Sequence, residues 1–129
     1  MATTYYAINS NPKREVCYSV YKRQHAEYAV ISAFVKAALY AGHTLGVFDG
    51  EEVVLEHSKS YKKVMAAIMS TDDDYIFVYP VGATSGPRIG WVRCIYGNDG
   101  PDVISDYSVG LEYLMGKANE VSDRLYSRM

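Results

Sequence analysis

A chain of 129 residues, 49% hydrophobic and only 22% charged, has the size and apolar content of one folded domain and is far from a disordered composition. Its net charge of −2 offers no general attraction for DNA or RNA, which require clustered Lys and Arg, so nucleic acid is not an expected partner. The longest apolar run, Ala26 to Gly42, is interrupted by Glu27, Ser32 and Lys36 and is too short for a bilayer.

Taken in order, Thr3 to Ile8 reads as a strand, Asn9-Ser10-Asn11-Pro12 as a turn, and Val16 to Tyr21 as the partner strand. A helix is expected from Gln24 to Ala41, ended by Gly42. Tyr28, Ile31, Val35 and Leu39, widened by Ala29, Val30, Phe34, Ala37 and Ala38, leave only a narrow polar strip through Ser32 and Lys36. So much apolar circumference requires cover on more than one side, from within the chain or from a second copy. Tyr28, Ile31, Phe34, Val35 and Leu39 are therefore the candidate interface residues of an expected homo-oligomer.

Thr44 to Phe48 and Glu51 to His57 flank Asp49-Gly50, the signature of a hairpin with a two-residue type I′ turn. Ser60 is placed to cap a short helix that buries Val64, Met65 and Ile68. Asp72-Asp73-Asp74 reads as a solvated turn, Tyr75 to Val81 as an apolar strand, and Gly82 to Pro87 as a flexible loop. Trp91 to Tyr96 and Val103 to Tyr107 are strands about an Asn98-Asp99-Gly100-Pro101 reversal. Ser108 then opens a long helix with Leu111, Leu114, Met115, Ala118, Val121 and Leu125 on one stripe. The order ββα-ββα-βββα predicts a single α+β domain over residues 1–129, an antiparallel sheet of six to seven strands with three helices on one face.

Chemistry has few footholds. Asp99, Asp102, Asp106 and Glu112 form an acidic group able to hold a divalent cation, as a small hydrolase or nucleotide-processing enzyme would require. The alternative assigns them to a turn, a strand entry and a helix start. Asp72 to Asp74 lack the spacing of a calcium loop, and His25, His43 and His57 are dispersed. No glycine cluster makes a phosphate loop, so no cofactor is expected, and Cys17 and Cys94 fall in strand-like runs that suggest buried free thiols in a cytoplasmic protein. Thirteen tyrosines are the compositional anomaly, and Tyr is favoured where one end of the ring is buried and the other wet, as at sheet edges and interfaces.

The segments FDGEEVVLEHS (Phe48 to Ser58), STDDDYIFVY (Ser70 to Tyr79) and GWVRCIYGNDGPDVISDYSVGLE (Gly90 to Glu112) resemble those of small proteins encoded by tailed phages and prophages. The resemblance implies a mobile-element origin, an accessory role and a host or phage protein as partner. It carries no functional residue. A small interaction protein that works by binding is the leading expectation, with the metal-dependent enzyme as the alternative.

Overall fold

The computed structural model describes residues 3–128. Among the described residues, seven antiparallel strands, three α-helices and one 3-10 turn make an α+β fold. The strands divide into two sheets rather than the one expected. A short hairpin pairs β1 (Tyr5–Tyr6) with β2 (Glu15–Val16). The main sheet has the order β4-β3-β5-β6-β7, with β3 His43–Phe48, β4 Val53–Ser58, β5 Asp73–Val81, β6 Gly90–Ile95 and β7 Ile104–Tyr107.

The largest departure from expectation is at Cys17, which stands as the N-cap of a 23-residue helix, α1 (Tyr18–Tyr40), instead of lying within a strand. Tyr18 and Tyr21, three residues apart and so on one helical face, both pack against Tyr5, with ring centroids 5.3 and 4.7 Å away. An aromatic pair that would alternate across a strand is thereby used on a helix. Gly42, at φ +93°, turns the chain out of α1 as expected.

Within this single subunit α1 lies across the sheet, with α2 (Tyr61–Ala67) and α3 (Gly116–Tyr126) packed beside it. Ile31, Phe34, Val35 and Ala38 have no solvent exposure, and Val30 has 2%. They meet Leu45, Val47, Ile76, Val78, Val92 and Cys94 from the strands and Leu111, Leu114, Met115 and Ala118 from the C-terminal segment. The polar strip is also used: Ser32 is buried and its Oγ lies 2.7 Å from the Tyr61 hydroxyl, while exposed Lys36 reaches over the Tyr61 ring. Ala29, Ala33 and Ala37 remain half-buried on the outer side. A methyl group presents little apolar area, so these positions demand no further cover.

Local chemistry accounts for the other boundaries. Ser60 caps α2, its Oγ accepting from the Lys63 N–H at 3.2 Å. The β3–β4 turn is longer than the two-residue form. Asp49 Oδ1 accepts from the N–H groups of Glu51 and Glu52, both at 2.9 Å, and holds a four-residue loop. Ser108 does not cap a helix by its side chain; its Oγ accepts from the Trp91 N–H at 2.9 Å and ties the chain to β6. The long C-terminal helix is broken at Met115 into a 3-10 turn (Val109–Leu114) and α3, yet Leu111, Leu114, Met115 and Ala118 all face the core.

Candidate functional site

β5 separates two kinds of surface with one sequence, DDYIFVYPV. Side chains alternate along a strand, so Asp74, Ile76 and Val78 point towards the helices and are fully buried. Tyr75 and Phe77 point the other way and stay half-buried, as do Phe48 and Trp91 on the neighbouring strands. The pairing register lines Val53, Phe48, Tyr75, Arg93 and Asp106 into one row across all five strands, with Gly46, Phe77 and Trp91 in the adjacent row.

The rings on this open face touch in sequence. Phe48 lies 6.1 Å from both Tyr75 and Phe77, and its plane is within 19° of Phe77. Trp91 meets Tyr75 edge-on at 5.8 Å. Tyr79, only 5% exposed, closes the other end of the face: its ring folds over Gly46, where a Cβ would stand 2.8 Å from the Tyr79 hydroxyl and 2.7 Å from the Leu55 carbonyl oxygen. His57 stacks on Tyr79 with centroids 3.8 Å apart, and its Nε2 sits 2.9 Å from the Gly86 carbonyl oxygen. The segment after β5 thus covers Tyr79 through the His57–Gly86 contact and reaches Phe77 only with the Arg88 side chain.

Two arginines flank the rings. The Arg93 guanidinium is 5.7 Å from the Tyr75 centroid and 3.6 Å from Asp73, a half-exposed pair of little net strength. The Arg88 guanidinium is 4.2 Å from the Phe77 centroid and joins no ion pair among the described residues. Phe48, Val53, Tyr75, Phe77 and Arg88 line a groove of about 360 Å³. It offers stacking surface and a cation, with no nucleophile or acid–base pair.

The expected site residues are placed differently. Of the five on α1, Ile31, Phe34 and Val35 are wholly inside the chain, and Tyr28 and Leu39 are partly buried against the same core. An interface there requires uncovered apolar surface, and the sheet, α2 and α3 already cover these residues.

The acidic group is dispersed. Asp99 is exposed in the β6–β7 connection beside Lys22 and Arg23, and Asp102 sits in the following turn near Glu27. Asp106 lies opposite Arg93 on the open face, and Glu112 accepts from the Tyr107 hydroxyl at 2.6 Å. Asp102 and Asp106 are not on a continuous extended run: the strand starts at Ile104, and between Arg93–Asp106 and Cys94–Ile104 one step of β6 spans two of β7. Among the described residues no three His, Cys, Asp or Glu side chains are grouped to hold a metal ion.

Sequence reading missed the buried acids. Asp74, expected in a solvated turn, is fully buried in β5; its Oδ2 accepts from the Tyr96 hydroxyl and from the Met69 N–H, the latter at 2.8 Å. Burial outweighs these bonds and raises its carboxyl above the ordinary value. Glu27, also fully buried, is raised by the same cause despite the Gly97 N–H at 2.9 Å and Arg23 at 3.6 Å. Burial pushes the Cys94 thiol up beside them. His43 is likewise structural: buried, with Nδ1 2.9 Å from the Tyr79 carbonyl oxygen and Nε2 2.7 Å from the Tyr113 hydroxyl.

The open face did have a sequence signal: aromatic residues at every second position of Tyr75-Ile76-Phe77-Val78-Tyr79, with aliphatics between them. Trp91 and Phe48 join it only through cross-strand register, which a single sequence does not display. Comparison with protein-family models, with curated proteins and with solved structures finds no match to this chain.

Proposed function

We propose that this chain works by binding, and that its working surface is the open sheet face around Phe48, Tyr75, Phe77 and Trp91. The observation that carries this reading is the continuous aromatic cluster over two adjacent rows opposite the helix-covered face, half-buried and flanked by Arg88 and Arg93. Rings held by neighbouring strands lose little freedom on contact, and large rigid aromatics are the side chains that anchor bound partners. Self-association through α1 is not part of the reading, because its central residues are occupied within the chain. Nor is metal-assisted hydrolysis, because the four acidic residues lie apart.

Trp91 is the only tryptophan and lies on this face, so its emission reports directly on occupancy. A neutral aromatic dye such as Nile red is expected to bind saturably and quench Trp91. Phe77→Ser should abolish this, whereas the helix-side control Tyr113→Ser should not. Equal dye binding by wild type and Phe77→Ser, with both folded by circular dichroism, would remove the open face as the working surface.

A further inference from the structure

Resting on that reading, we propose that the groove between Phe48, Val53, Tyr75 and Phe77, under Arg88, takes one planar aromatic ring carrying a single negative group, a mononucleotide or an aromatic carboxylate being of the matching chemistry. Size, shape and charge each contribute to the assignment. A volume of about 360 Å³ is near the small end of ligand pockets and suits one ring system with one substituent. The near-parallel Phe48 and Phe77 planes offer flat faces to a planar ring, which aromatic side chains hold in offset contact.

The charge argument is specific to this edge of the face. Arg93 is committed to Asp73 and faces Asp106 across the β6–β7 pair, so the far side of the row is balanced. Arg88 borders the groove without an ion-pair partner among the described residues, and its planar guanidinium both stacks on a ring and forms two parallel hydrogen bonds to a carboxylate or phosphate. One uncompensated cation matches one anionic group. A polynucleotide is a poorer fit, since Asp106 lies in the Tyr75 row, Asp73 beside it, and the chain as a whole is acidic.

Titration calorimetry, with Trp91 emission in parallel, tests this with adenosine monophosphate, indole-3-carboxylate, adenosine and inorganic phosphate. At least one of the two ring anions is expected to bind about tenfold more tightly than neutral adenosine, the scale of one added charge-assisted hydrogen bond. Which of the two binds separates a nucleotide from a carboxylate source. Phosphate alone should not compete. Arg88→Gln should remove the preference for the anion, so that ring anions and adenosine bind alike, and the wild-type preference should shrink with added salt. Adenosine binding as tightly as both ring anions, or an anion preference that survives in Arg88→Gln, overturns the ligand class even if dye binding still depends on Phe77. No response to any ring compound, with dye binding intact, overturns it as well. Loss of the dye result itself would instead remove the underlying surface.

Discussion

Phe34 on α1 and Phe77 on β5 are the same side chain in two situations. Phe34 is sealed between helix and sheet with no exposure, whereas Phe77 lies on the opposite side of that sheet, half-covered by Phe48 and Arg88. The covered face consists mainly of branched aliphatics, which pack to crystal-like density and leave nothing to bind. The open face carries rings and two guanidinium groups beside Val53, Asp73 and Asp106, and its rings shield the strand backbone from water while staying half-exposed. One sheet therefore has a sealed side and an open side, and the open one is the proposed binding surface.

The largest expected effect tests that division directly. Phe34→Ala should cost about 3–5 kcal/mol in denaturant unfolding, the usual range for emptying a buried aromatic site, whereas Phe77→Ala should cost about 1 kcal/mol because its half-covered ring has less burial to lose. Comparable losses would mean that the open face is core. Gly46→Ala comes next. The added methyl collides with the Leu55 carbonyl oxygen and the Tyr79 ring, and overpacking of this kind typically costs about 1–3 kcal/mol. A silent Gly46→Ala would show that the Tyr79 end of the face yields easily.

The adjacent acids Asp73 and Asp74 sharpen the comparison at finer scale, since one points to each side of the sheet. The Asp74 carboxyl is raised by burial, so the native state holds its proton more tightly than the unfolded chain does. Its contribution is fully present below the ordinary carboxylate range and is lost as pH rises through the raised native value. Each unit of upward displacement is worth about 1.4 kcal/mol. Asp74→Asn cannot titrate, so wild-type stability should fall relative to this variant as pH rises across that window, read by urea unfolding at a series of pH values. A constant difference between the two proteins would refute the burial account. Asp73→Asn should change stability by less than about 0.5 kcal/mol, and only at low salt, as a half-exposed ion pair does.

Much of the fold was legible from the sequence because the signals were local. The Ser60 cap, the Gly42 stop, the strands on either side of Gly82 to Pro87 and the C-terminal apolar stripe depend on residues within a few positions of one another. The start of α1 was not legible, because Tyr18 and Tyr21 fit a strand as well as a helix until Tyr5 is brought against them. The site was hidden for a related reason. Phe48, Phe77 and Trp91 are distant in sequence and become one surface only through register, while Asp74 looked like its exposed neighbours until parity turned it inward. The apolar girth of α1 was visible, but its meaning depended on how much helix surface the rest of the chain could hide.

The small β1–β2 sheet joins the body through the Tyr5 ring on α1 and through polar teeth. Gln24 Oε1 accepts from the Ile8 N–H at 2.9 Å, and the Asn9 side-chain amide donates to the carbonyl oxygens of Met65 and Ile68, both at 2.8 Å. These bonds fasten the beginning of the chain to the end of α2, so the hairpin works as a latch across two helices. A latch held by a few amides and one half-buried ring opens at lower free energy than a packed interior, and the Ile8 amide should exchange its hydrogen for deuterium long before those of Ile76 or Val92. Each such opening would leave α2 briefly without the clasp at its C-terminal end.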